Sequence, residues 1–258
     1  MKLFFPTIFS GSDWLNDVLM DIDTNGMIKS LVSKSNNSEA DEIFSGTCLP
    51  GMPNLHSHAF QRAMAGLTEI ANTGETNFWT WQKIMYEFLA KLSPDDVEAI
   101  ASQLYMEMLK GGFTSVAEFH YLHNDTNGDH FENPAEMSDR IFAAANKTGI
   151  GLTHLPVLYV HGGFGALAPQ DGQKRFLQTV SQFQLLLETL NNRYGGGNER
   201  KIGMALHSLR AVSPELIKDA LVLLSEGPVH IHIAEQTKEV DQCIDWSGQR
   251  PVEWLLDN

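Results

Sequence analysis

Cysteine is nearly missing from this 258-residue sequence: Cys48 and Cys243 are the only two. They lie far apart and form no Cys-x-x-Cys pair, which excludes a disulfide framework and fits a reducing compartment. Positive charge is scarce as well, with 18 Lys and Arg against 32 Asp and Glu and a net charge of -14. Phosphate backbones and anionic membrane surfaces attract Lys and Arg, so no nucleic acid and no membrane are expected as partners. No apolar run is long enough to span a bilayer. The opening Met1-Lys2-Leu3-Phe4-Phe5-Pro6 breaks its short apolar stretch at Pro6 and does not read as a secretory leader. The cytoplasm is the expected location. Phosphate-cradling P-loops, GxGxxG and GxSxG motifs are all lacking. His161-Gly162-Gly163-Phe164-Gly165 resembles a glycine-rich oxyanion loop, but no nucleophile elbow accompanies it.

What is present is an ordinary globular composition, 43% hydrophobic and 19% charged, ample for a sizeable core. Residues 1–48 are short apolar pieces separated by turn formers such as Asp23-Thr24-Asn25-Gly26, and Asn-Gly between apolar stretches signals a hairpin. A small β-rich segment is expected there. Residues 49–258 read as one incomplete barrel domain in which apolar, β-branched runs alternate with helical patterns. Strands are expected at Gly51–Leu55, Phe113–Phe119, Gly151–Val160, Ile202–Leu206 and Val229–Ala234. Helices are expected at Ser93–Lys110, about Pro134–Lys147, Gln173–Tyr194, Pro214–Ser225 and Pro251–Asp257. Ser93 suits an N-cap, Pro94 the first helical position, and Gly111 the stop. The alternation means an α/β fold. About five βα units are visible, against eight in a closed (β/α)8 TIM barrel, so the expectation is a partial barrel. Gly195-Gly196-Gly197 reads as a local loop.

The chemistry gathers where strands end. Alternate strand residues share a face, so His56 and His58 aim two imidazoles at one point, as a divalent metal requires. His232, near the end of the last strand, is the better third ligand. His230 sits a layer deeper and reads as a buried, hydrogen-bonded side chain. Glu235, three residues after His232, is either a proton carrier at the rim or a solvated loop acid. His207 could orient a substrate or bind metal. Arg210 could fork a carboxylate or simply be solvated. His120 and His123 sit near the rim; His130 and His154 read as structural. Trp79, Trp81 and Tyr86, with Phe78 and Phe88, read as packing.

The stretch Leu49-Pro50-Gly51-Met52-Pro53-Asn54-Leu55-His56-Ser57-His58-Ala59-Phe60-Gln61-Arg62 resembles the first barrel strand of the amidohydrolase superfamily. The resemblance is narrower still, to the formimidoylglutamate deiminases of histidine degradation. It continues through Phe78-Trp79-Thr80-Trp81, Glu118-Phe119-His120-Tyr121-Leu122-His123, His207-Ser208-Leu209-Arg210-Ala211-Val212, His232-Ile233-Ala234-Glu235-Gln236 and Arg250-Pro251-Val252-Glu253-Trp254-Leu255-Leu256. It implies one Zn2+ per site, bound by His56, His58 and His232, with Glu235 transferring the proton. It implies that Gln61, Tyr121, His207 and Arg210 hold a small acidic substrate, N-formimino-L-glutamate, whose C=N bond is hydrolysed to N-formyl-L-glutamate and ammonia.

Two departures stand out. The family's arginine after Phe-Trp-Thr-Trp is replaced by Gln82 followed by Lys83. The family's later catalytic histidine and metal-binding aspartate have no counterpart after His232, where Asp241, Asp245, Glu253 and Asp257 sit in helical patterns. The chain therefore reads as the N-terminal part of such an enzyme, inactive or nearly so alone. The alternatives are another deaminase of the superfamily acting on a guanine-like or other cyclic amidine, and a non-catalytic fragment or association module. A homodimer is the candidate assembly.

Overall fold

The computed structural model describes residues 1–67, 78–196 and 200–258, without the side chains of residues 78–80 and 83. The chain forms two compact units, Met1–Met52 and Pro53–Asn258. In the first, β1 (Lys2–Phe9), β2 (Trp14–Ile22) and β3 (Ile28–Val32) form an antiparallel meander, while β4 (Glu42–Ile43) and β5 (Thr47–Cys48) add to β1 in parallel. The β2–β3 turn is built by Asp23, whose carboxylate accepts the Asn25 and Met27 amides at 2.8 and 3.0 Å. Gly26 supplies the positive φ of 80°. Leu3, Ile8, Val18 and Met20 form a small core of their own, and alternation along β2 puts Val18 and Met20 on one face.

The second unit is an α/β layer structure. Its strands are β6 (Met52–Ser57), β7 (Phe113–His120), β8 (Gly151–Leu158), β9 (Arg200–Ile202), β10 (Met204–Leu206) and β11 (Val229–Ile231). They lie in the order β6-β7-β8-β10-β11, with β9 also on β8. The pairs β7–β8, β8–β10 and β10–β11 are parallel, as right-handed strand–helix crossovers demand. Five strand positions in sequence order make this a partial barrel. The helices are α1 (Phe78–Leu89), α2 (Pro94–Lys110), α3 (Glu136–Thr148), α4 (Val180–Tyr194), α5 (Pro214–Leu221), α6 (Thr237–Ser247) and α7 (Pro251–Asp257). The core takes in helix-side residues such as Tyr105, Phe142 and Leu187, and Phe119 and Leu155 on the other face of the sheet. Among the described residues no helix is long and apolar enough to cross a membrane.

Local chemistry explains where the elements differ from the sequence reading. Helix α2 begins as expected, with the Ser93 hydroxyl accepting from the Asp96 amide and the Asp96 carboxylate accepting from the Ser93 amide. Its stop is shared: Gly111 stays right-handed, and Gly112 takes the positive φ of 89°. Helix α4 starts at Val180 rather than Gln173, because Thr179 and Gln182 form the capping box there. Gln173 is instead buried with its amide donating to the Tyr159 hydroxyl at 2.6 Å. The expected strand Ile202–Leu206 is cut in two at Gly203, whose amide donates to the His154 carbonyl. A Cβ at Gly203 would lie 2.3 Å from the Pro228 carbonyl oxygen, so only glycine allows this approach. The sequence of helix α1 reads as an aromatic packing group. Trp81, Tyr86 and Phe88 do pack on the core, while the Phe78 and Trp79 side chains, and Gly197 of the glycine loop, lie outside the described residues.

Candidate functional site

Strand β6 ends at Ser57, and His58 caps the short 3-10 helix Ala59–Met64. His56 and His58 therefore leave the strand on one face, and His232 arrives just past the end of β11. The Nε2 atoms of His56 and His58 are 3.1 Å apart, and those of His56 and His232 are 3.2 Å apart. His58 Nδ1 donates to the Phe119 carbonyl at 2.9 Å, which leaves its Nε2 lone pair facing the other two rings. Phe119 stacks on the His232 ring at 4.2 Å and so fixes that plane too. Four-coordinate zinc with Zn–N bonds of about 2.0–2.1 Å would set its nitrogens about 3.3 Å apart. The donor set and its spacing fit a divalent cation, and the ligand atoms of the three histidines lie within 4.8 Å of one another.

The electrostatics agree. Burial, and then the charges of the neighbouring imidazoles, push His232 down to about 3. Burial likewise takes His58 to about 4, against the pull of the Phe119 carbonyl. Burial lowers His56 as well, with His230 adding to the effect. All three are neutral at pH 7, as ligation requires. His230 is half-buried rather than deeply buried, because β11 contributes only three residues at the side of the sheet.

Glu235 is aimed by an unusual backbone. Ala234 adopts a left-handed φ of 55°, which turns the chain sharply between His232 and Glu235. The Glu235 amide donates to the Glu239 carboxylate at 3.1 Å. Burial raises the Glu235 pKa, opposed by Arg210 and reinforced by Glu239. Arg210 Nη2 lies 3.4 Å from Glu235 and 3.7 Å from the buried Glu239. Arg210 is thus not a solvated loop residue but a cation held between two acids. Gln61 donates to the Tyr121 hydroxyl at 2.9 Å. The His207 ring sits 5.2 Å from that of His232 and 4.4 Å from that of Tyr159, and burial holds its pKa well below the usual value.

These groups share one cavity of about 730 Å³, lined by His58, Gln61, Tyr121, His207, Arg210, His232 and Glu235. His56 completes the imidazole cluster from beside it. The size and the mixture of aromatic and polar walls suit a small polar molecule. Two placements at the rim are corrected. His120 and His123 are buried; His123 Nε2 donates to the Val157 carbonyl, and His120 packs against His154. For His120 the reason is alternation, since Phe119 faces the imidazoles and Glu118 and His120 face the helices; His123 follows the strand and is held by its amide on the Arg175 carbonyl. Sequence reasoning missed three residues that shape the site: Tyr159 and Lys238 on its wall, and Glu239 beneath Arg210. The only available signal for Glu239 was its helical spacing of four from Glu235.

Parallel strands with three imidazoles converging at their ends are an arrangement that can hold a divalent cation at the active-site end of a barrel fold. The amidohydrolase family model matches residues 47–257, and the chain belongs to that family. Within it the chain is 49% identical, over 95% of its own length, to formimidoylglutamate deiminase of Pseudomonas aeruginosa, of which it covers 54%. An amidohydrolase structure from Brucella melitensis superposes with a TM-score of 0.91 at 45% identity, covering 99% of this chain and 57% of that one. Atrazine chlorohydrolase from Arthrobacter aurescens TC1, solved with zinc, shares the fold at a TM-score of 0.79 and 19% identity, over 99% and 57% of the two chains. The chain spans about half the length of these relatives.

Proposed function

We propose that this chain carries the metal-binding and substrate-gripping part of a zinc-dependent iminohydrolase acting on N-formimino-L-glutamate. The observation that carries the reading is the cavity in which His56, His58 and His232 converge beside the Arg210–Glu235 pair, in a chain 49% identical to a formimidoylglutamate deiminase. The reaction replaces the imino nitrogen with the oxygen of water, giving N-formyl-L-glutamate and ammonia. A divalent ion at the three imidazoles supplies Lewis-acid chemistry, lowering the pKa of water from ~15.7 to ~7 and polarising a C=N bond.

The chain's own groups do the rest. Glu235, with its carboxyl pKa already raised, takes the proton of the attacking water at Oε and returns it to the departing nitrogen. Arg210 holds a substrate carboxylate; its single 3.4 Å contact to Glu235 is long enough to be exchanged for a bidentate one. Tyr121, oriented by Gln61, and His207 border the same space and position the amidine end. Gln82 lines the cavity where the family carries an arginine. It offers an amide to the substrate where the family offers a charge.

The test is binding, which does not require turnover. Zinc-loaded protein should take up N-formimino-L-glutamate in calorimetry with a stoichiometry of one, and guanine should not compete. Binding of guanine with no measurable uptake of the acidic amidine would transfer the reading to a ring deaminase.

A further inference from the structure

We infer that Glu118 is a positioning residue for the metal centre: its buried carboxyl holds the backbone at Ala59 and so fixes where the His58 imidazole points. The inference rests on the metal reading above. Glu118 is fully buried on the helix-facing side of β7. An acid there is costly unless hydrogen bonds compensate. Its Oε1 accepts the Ala59 amide at 2.6 Å, and Oε2 accepts the Tyr105 hydroxyl at 3.2 Å.

Ala59 is where strand β6 has ended and the 3-10 helix begins. The first amides of such a helix lack partners, and the capping residue, His58, offers no side-chain cap of its own. Glu118 supplies that cap from a different strand. His58 is therefore held at three points. Phe119, next to Glu118, accepts from the ring at Nδ1. Glu118 accepts from the amide that follows. The His58 carbonyl accepts the Gln61 amide at 3.0 Å. Two consecutive residues of β7 thus grip the ring and the backbone of one metal ligand. Metal–nitrogen distances tolerate only about 0.2 Å, so a ligand at the frayed end of a strand needs such an anchor. Groups that orient metal ligands in this way change affinity by about 10–100-fold when removed.

The experiment compares reach with charge. Glu118→Gln keeps an acceptor oxygen at the same reach without the charge. Glu118→Asp keeps the carboxyl but withdraws it by one methylene. Zinc affinity is measured by chelator competition on folded protein, and ligand geometry by the visible spectrum of the cobalt-substituted form. The Gln variant should bind zinc within about threefold of wild type with a superimposable cobalt spectrum. The Asp variant should bind about tenfold or more weakly with a shifted spectrum. Glu118→Met, which fills the volume with no acceptor, should behave like Asp and serves if Asp does not fold. Equal affinity and spectrum in Asp or Met and wild type would overturn the inference, as would a loss in Gln as large as in Asp. If wild type itself binds no zinc, the metal reading fails instead.

Discussion

Replacing Glu118 by Gln should make the protein more stable at pH 8 and leave it nearly unchanged near pH 4.5. Burial raises the Glu118 carboxyl from 4.5 to about 7, against the Ala59 amide and the Ser57 and Tyr105 hydroxyls that favour the charge. A carboxyl whose folded-state pKa lies above its unfolded value binds its proton more tightly in the folded chain. Its contribution is fully present below the unfolded pKa and is lost as pH rises through the folded one. The window is therefore about pH 4.5 to 7. A rise of roughly 2.5 pKa units corresponds to about 3 kcal/mol at the upper end. Gln fits the volume, accepts from Ala59, and never ionises. Urea unfolding of the two proteins across pH 4.5–8 reads the difference, and common effects of the histidines cancel in it. The stability gap should open with pH and level off above pH 7, in favour of Gln. A pH-independent gap, or one that favours Glu at pH 8, would refute the reasoning about burial.

Other outcomes follow from the same structure. Arg210→Ala should weaken binding of N-formimino-L-glutamate by about 10–100-fold, the worth of a charge-assisted contact of roughly 1.5–3 kcal/mol; calorimetry with zinc-loaded protein reads it, and unchanged affinity would remove Arg210 from the substrate grip. Gly203→Ala should cost roughly 1–3 kcal/mol in denaturant unfolding, because its Cβ would meet the Pro228 carbonyl at 2.3 Å. Ser93→Ala should cost about 1 kcal/mol, since it breaks the capping box of α2; no change in the unfolding midpoint would mean that the box adds nothing.

The strands and the imidazole cluster were legible because they rest on short-range rules. Alternation set His56 and His58 on one face, and the position of His232 at a strand end brought it to them. Helix α2 announced itself through Ser93, Pro94 and Asp96. What stayed hidden depends on partners far along the chain. Helix α1 carries so many aromatics that its composition suits a strand or a packing cluster equally well. Gly203 reads as part of a strand until Pro228 is beside it. Glu118 and Glu239 look like surface acids, yet both are buried and each holds a functional neighbour through its backbone amide, Ala59 in one case and Glu235 in the other. The left-handed Ala234 that aims Glu235 has no sequence signature at all.

The central claim is a metal centre made by His56, His58 and His232. Elemental analysis of protein dialysed against zinc and then gel-filtered tests it directly, with the triple variant His56→Ala, His58→Ala, His232→Ala as the comparison. The account predicts close to one zinc per wild-type chain and almost none in the triple variant. Equal metal content in the two proteins would contradict it.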